Sequence, residues 1–503
     1  MNGQSDNTPL QSSIPNVLMT NANDENQSIR VESVILEADN HNWVANNYGK
    51  TTFILPKKAS VLNNDGMLIW RTKWSQYDIG NNKSVTFPRE SGGVLCIKSA
   101  KMYLDGKLLS SNEEVGKYLC MKNKFLPYDS QVEVLDQLIG GNHDYGYDTN
   151  GAIQLGEDKR MGEKGSRDLT DQEDATMECA VPLSQLFKLL GDTLLPMALR
   201  GQLRIEIEWE GRYTELACEG GTGFGGGDRV GVEVVRPRLH LDYIEYAPEV
   251  DQALKEQIAS SEGITSPFRE PSLVKKNIPA LAVGANNIQN NDLELGFMGR
   301  SVMKIYAQKL SVDNNDNALT RGGRSDGLTG EELQVVINNK TMYDRPVTKV
   351  SEMYSYLNQT GEIPFNTLPA TYGLVGDYGN AINGGAGAGA SDANVFADEL
   401  FLPSNVGRPT AQTAVAGVKN SYQGRQRWLG VNLAQQRMGA DTPSNSIKIG
   451  EAPIILRVTR KNTGNDEETA NDARTQSAVN LNVWVEAVSV MIMKNGRVEI
   501  LNI

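Results

Sequence analysis

Residues 181–211 read VPLSQLFKLLGDTLLPMALRGQLRIEIEWEG, and they hold two periods side by side. Leu183, Leu186, Phe187 and Leu190 fall at the spacing of one helical face. From Leu203 the pattern changes. Leu203, Ile205, Ile207 and Trp209 alternate with Arg204, Glu206, Glu208 and Glu210, the period of a strand with one face buried and one wet. A compact helix set just before so regular a strand is expected to have an architectural role. Its four apolar side chains are expected to be structural rather than catalytic.

The surrounding chain supports that reading. Residues 1–28 are polar, rich in Asn and Ser and without period, and are expected to form a flexible N-terminal arm. From residue 29, short segments such as IRVESVILEA, KTTFILP, GMLIWRTKW, GGVLCIKSAKMYLDG and YLCMKNKF read as strands between turn signals. A long polar insertion over roughly 140–178 carries no core pattern. VEVVRPRLHLDYIEYAP is a long strand with alternation at Leu239, Leu241, in part Tyr243, and Ile244. PEVDQALKEQIASSEG then reads as a short helix, with Pro248 in its first turn and a stripe of Val250, Leu254 and Ile258. Proline-punctuated sequence follows, which places a linker at 248–268 between domains at 29–247 and 269–503.

The second domain repeats the plan of the first. ELQVVINNKTMYDRPVTKVSEMYSYL echoes KMYLDGKLLSSNEEVGKYL. PIILRVTR, a polar loop and LNVWVEAVSVMIMKNGRVEIL echo LRIEIEWEG, a glycine loop and VEVVRPRLHLDYIEY. The echoes occur in one order at offsets of about 230–250 residues, far longer than a solenoid unit. Two copies of one β-rich domain are expected. A Gly/Ala-rich loop near 375–395 interrupts the second copy as the acidic insertion interrupts the first.

Composition and motifs narrow the function classes. The net charge of -13 argues against a dedicated nucleic-acid binder. The start, MNGQSDNTPLQSS, has neither the basic nor the apolar region of a secretory signal, so none is expected, and the Asn-x-Ser/Thr sequons at Asn26, Asn82, Asn339 and Asn358 are read as chance matches. No run of 18 apolar residues is present. Cys96, Cys120, Cys179 and Cys218 are scattered, as expected of reduced, mostly buried thiols. His41, His143 and His240 are far apart and suit no zinc spacing. Gly221, Gly223 and Gly226 satisfy GxGxxG, but strand rather than helix follows, so no helix N-terminus faces a phosphate. The Asn/Asp-rich run from Asp313 fails the EF-hand test, with Ala318 at the sixth position and Arg324 at the twelfth. Catalytic, cofactor and metal sites are therefore expected to be absent.

The layout of 29–503, with its P-L-S-x-L-F helix before a bulky alternating strand and its closing NVWVEAVSVMIMKNGRVEIL, resembles the double jelly-roll major capsid proteins of eukaryotic DNA viruses, of the virophage and polinton-like type. The resemblance implies an all-β fold of two tandem eight-stranded antiparallel jelly-roll barrels with short helices in the loops. It implies a homotrimer forming a pseudo-hexameric capsomer, and an icosahedral virion shell around a DNA genome. It further implies contacts with neighbouring capsomers, penton and minor capsid proteins and an internal membrane, without specific nucleic-acid binding, and assembly inside the infected host cell. The loops near 140–178 and 375–395 are expected on the outer or inter-subunit face. The contrasting expectation is a secreted or surface β-sandwich, a carbohydrate-binding module or glycan hydrolase.

Overall fold

The computed structural model describes residues 28–42, 49–57, 60–63, 66–76, 84–86, 92–123, 145–147, 153–155, 166–168, 176–192, 195–210, 218–220, 230–281, 287–311, 331–347, 430–433, 443–462 and 478–503. The first barrel comprises β1 (Ser28–Glu37), β2 (Lys50–Ile54), β3 (Met67–Gln76), β4 (Ile97–Leu104), β5 (Lys107–Glu113), β6 (Thr176–Pro182), β7 (Leu203–Trp209) and β8 (Val230–Tyr246). One sheet runs β6-β3-β8-β1 and the other β2-β7-β4-β5, all antiparallel.

The second barrel comprises β9 (Ile264–Ile278), β10 (Asn287–Gly296), β11 (Ser301–Ser311), β12 (Glu331–Ile337), β13 (Lys340–Thr341), β14 (Gly430–Asn432), β15 (Ile454–Asn462) and β16 (Val479–Lys494). Its sheets run β9-β16-β11-β14 and β10-β15-β12-β13. Counted within each barrel, both halves read first-eighth-third-sixth and second-seventh-fourth-fifth. The chain is two jelly rolls in tandem. A terminal strand, β17 (Arg497–Asn502), folds back on β16.

The regular strand of the opening stretch is β7, central in its sheet. Leu203, Ile205, Ile207 and Trp209 are buried, while Arg204, Glu206 and Glu208 remain half-exposed. Across the sandwich, Trp70 of β3 meets Trp209 at 5.6 Å between ring centroids. The Trp209 indole N–H donates to Thr51 Oγ1 at 2.7 Å, so the ring is buried without leaving its polar atom unpaired. Three hairpins close on two-residue turns that need left-handed backbone: Asp105-Gly106, Asn338-Asn339 and Asn495-Gly496 all have positive φ. Such turns match the twist of the flanking strands.

Three local expectations change. YLCMKNKF is not a strand: α1 (Val115–Asn123) is a helix that buries Val115, Tyr118 and Leu119, at positions i, i+3 and i+4. The 183–190 helix is two turns, α2 (Leu183–Leu186) and α3 (Lys188–Asp192), broken where Phe187 turns extended at φ -125 and ψ 104. One amphipathic helix would bury a single stripe, yet Leu186, Phe187, Lys188, Leu189 and Leu190 are all buried. Ser184 and Gln185 stay half-exposed and Gly191 is exposed, so one side meets solvent, and the break lets the consecutive side chains from Leu186 to Leu190 find different pockets. The helix at 248–268 is α4 (Pro248–Ala259), with Leu254 and Ile258 buried. Ile264–Phe268, read as linker, already belong to β9. The prolines that suggested a linker are tolerated because β9 is an edge strand, pairing only with β16 in its sheet.

Candidate functional site: the junction of the two barrels

The barrels meet where α1 leaves β5 and lies on the β9-β16-β11 sheet. Gly116 lets α1 sit close: a Cβ there would lie 2.6 Å from the Val94 carbonyl and from Leu95 Cα, backbone atoms of the 3-10 turn Gly92–Cys96. Any side chain would lift the helix. So seated, Tyr118 enters the second barrel's surface. Its hydroxyl donates to Glu486 Oε1, and its ring packs against Tyr306 at 5.8 Å and Trp484 at 6.1 Å. The Trp484 indole N–H donates to the Glu113 carbonyl at 3.1 Å.

Trp484 and Glu486 share one face of β16, with Tyr306 and Lys304 opposite them on β11. All four are buried. Val483, Val485 and Ala487 alternate with them and are buried on the other face. Thus β16 is covered on both sides, by its own barrel and by its neighbour. Placing Glu486 here is costly unless it is hydrogen-bonded, and Tyr118 supplies that donor from 368 residues away in sequence.

The rim is polar. Lys275 of β9 reaches Glu114 at 3.0 Å, and Lys117 reaches the same carboxylate at 3.1 Å. Burial pushes the Glu114 carboxyl up, but the Lys117 charge and the Lys275 hydrogen bond outweigh it and hold the group below its ordinary value. Glu270 accepts from the Ser111 backbone N–H at 2.7 Å. There burial prevails over the Ser111 N–H and the Arg300 charge, and the carboxyl is raised. At the far end the β16–β17 turn acts as a peg. The Gly496 N–H donates to Ile258 O at 3.0 Å, and Gly496 O accepts from the Arg200 N–H at 3.3 Å. Lys107 Nζ donates to the Val498 carbonyl at 2.9 Å.

Leu183, Leu186, Phe187 and Leu190, singled out from the sequence, are all buried, at 1%, 0%, 0% and 2% exposure. They join the core of the first barrel, and α3 packs beside β9 of the second. Asn112 Nδ2 approaches the Leu186 carbonyl at 3.4 Å. Sequence reasoning missed Tyr118, Trp484 and Glu486. A usable signal was the 483–493 run VWVEAVSVMIM, nearly continuous in apolar residues, as expected of a strand buried on both faces.

Cys96 and Cys179 are buried free thiols, in no disulfide, and desolvation pushes both thiols up. Such thiols are poor nucleophiles. His240 is half-buried in β8. Among the described residues no group of His, Cys, Asp and Glu is placed to hold a metal ion, and no helix is long and apolar enough to cross a membrane. The 1–27 part of the arm, His143, the GxGxxG glycines, the Asp313 run, the Asn26, Asn82 and Asn358 sequons and the 375–395 loop lie outside the described residues. So do the side chains of His41, Cys120 and Cys218, and most of the 140–178 insertion.

The class is therefore a double jelly roll whose two barrels are joined by a buried seam. No protein-family profile matches the sequence, and no curated protein matches it. Solved structures do. VP54 of PBCV-1, fitted into a reconstruction of the virophage Sputnik, matches at TM-score 0.51 and 10% identity, over 94% of this chain and 96% of that one. The Faustovirus major capsid protein matches at TM-score 0.52 and 10% identity, over 93% and 91%. A chain of the Sputnik virophage particle matches at TM-score 0.50 and 10% identity, over 95% and 89%. The likeness is one of fold, and it spans both barrels.

Proposed function

We propose that the chain is a major capsid protein, a structural unit of a virion rather than an enzyme. Three copies associate into a six-barrelled capsomer, and capsomers tile an icosahedral shell around a DNA genome. The observation that carries this reading is the reach of the structural likeness. It covers nearly the whole length of this chain and of the viral proteins, so it concerns the two-barrel unit and not one sandwich module. The seam supports it, because a tile must hold its two barrels at a fixed angle, and the Tyr118, Trp484 and Glu486 contacts do so.

In this reading the domain limits follow the strands. The first jelly roll ends with β8, α4 bridges, and the second begins at β9. The α2–α3 element closes the first barrel beside the seam. The outward loops and the arm supply contacts to neighbouring tiles, minor proteins and a membrane. The test is native mass. The chain is 55.0 kDa, so light scattering on a sizing column is expected to give three times 55.0, or 165 kDa, or larger shells built from that unit. A monomer at micromolar concentration overturns the reading.

A further inference from the structure

The outward side of β6, β3 and β8 gathers arginines in a way that regular alternation would not. Glu178, Arg71 and Val235 stand in one row across the three strands, and Ala180, Ile69 and Arg238 in the next. Between those rows β8 carries one residue too many: Arg236 and Pro237 together oppose Trp70 of β3. This is a β-bulge, the device by which a strand re-aims a side chain. Pro237 is buried, as Trp70 is, and keeps the inward place. Arg236 is the extra residue and is exposed, so the bulge adds a third arginine to the side that already holds Arg71 and Arg238. Proline at the bulge leaves no N–H in want of a ladder partner. Arg236 itself takes φ +49, left-handed backbone that suits glycine and that a long side chain adopts only at a cost.

The three arginines, Glu178, Ile69 and Trp70 line a partly open recess of about 80 Å³, room for several waters. Glu178 Oε2 accepts from Arg71 Nε at 3.3 Å and from Arg238 Nη2 at 3.5 Å. Both contacts are long, and both fall on one oxygen of one carboxylate. Among the described residues no carboxylate reaches Arg236. Three guanidiniums against one carboxylate leave the recess positive, on a chain whose net charge is -13.

We infer that this recess binds a phosphate-class oxoanion, held by Arg236 together with Arg71 and Arg238. The site goes beyond the capsid reading and does not depend on it. A planar guanidinium presents paired N–H donors that match two oxygens of a phosphate. Arg71 and Arg238 each meet Glu178 through one nitrogen, which leaves other N–H groups of each fork for the anion. Glu178 has two opposed effects. It holds two of the arginines at the recess, and its charge repels the anion.

The test is titration calorimetry of the full chain with sodium phosphate near neutral pH, against sodium chloride at equal ionic strength. The parent is expected to bind phosphate saturably and to give no saturable heat with chloride. Arg236→Gly relieves the left-handed backbone, so it is expected to melt no lower than the parent in chloride, yet to bind phosphate at least about 10-fold more weakly, the worth of one charge-assisted hydrogen bond. Glu178→Gln keeps an acceptor oxygen for the arginines and removes the repelling charge, so it is expected to bind at least about 3-fold more tightly. Arg204→Gln, on β7 of the other sheet, is the control and is expected to bind like the parent. A parent with no saturable phosphate heat overturns the inference. So does Arg236→Gly at the parent's affinity, or Glu178→Gln binding more weakly. Glycerol phosphate, titrated in parallel, distinguishes the source of the anion. Binding of inorganic phosphate alone supports a site for the free ion, and binding of both supports a site for a phosphate group carried on a larger molecule.

Discussion

The last strands of the two barrels, β8 and β16, occupy the same place in the same sheet and read differently. RLHLDYIEY in β8 alternates, because one face meets the core and the other stays half-exposed. VWVEAVSVMIM in β16 barely alternates, because α1 covers the second face. Topology did not decide this difference; the neighbour did. A strand's pattern reports how many of its faces are covered.

Mutations at matched positions test the contrast. Trp484→Ala removes a fully buried indole from the seam and is expected to cost about 3–5 kcal/mol, read as a lower urea midpoint. Ile35→Ala, on the corresponding face of the first barrel, is expected to change the stability of the separated chain by less than about 0.5 kcal/mol. Equal losses would erase the distinction between the two faces.

Tyr118→Phe tests the seam's polar centre. It keeps the ring contacts but strips Glu486 of its donor, at an expected cost of about 1–3 kcal/mol. Adding Glu486→Leu is expected to recover part of that loss, because no buried carboxylate then lacks its partner. Strictly additive losses would mean that the pair is not coupled. Gly496→Ala should act less strongly. Its φ of +70 disfavours a side chain, and a Cβ would stand 3.1 Å from Nε of the exposed Arg200 side chain, so about 1–2 kcal/mol is expected from thermal melts.

The smallest effect is in pH dependence. The Glu114 carboxyl is held below its ordinary value in the fold. Its contribution is therefore full above the unfolded-state value and is lost as pH falls through the lower folded one. Glu114→Gln is expected to flatten the acid side of the stability profile, as followed by urea midpoints between neutral and acid pH. An unchanged slope would remove the Lys275 bridge from the account of the seam.

Much of each barrel was readable in the sequence because the signals are local. β7 alternates over seven residues, Asp105-Gly106 and Asn495-Gly496 mark hairpins, and Pro248 with Leu254 and Ile258 marks α4. The twofold repeat was readable because three echoes of turn and strand pattern recur in one order at a similar offset. The seam was not, since Tyr118 and Glu486 are adjacent only after both barrels have formed. α1 was misread for a related reason: nine residues with aromatic content suit either period, and only packing on Trp484 and Tyr306 decides. β9 was misread because Pro267 and Pro271 signal a break, and the edge position that tolerates them is a property of the sheet.

The central claim is that the seam of Tyr118, Trp484 and Glu486 locks the two barrels into one unit. A cryo-EM reconstruction of the purified protein tests it most directly. The account predicts one fixed mutual orientation of the barrels in every chain, with α1 seated on the β9-β16-β11 sheet. Barrels found in several orientations, or α1 standing off that sheet, would contradict it.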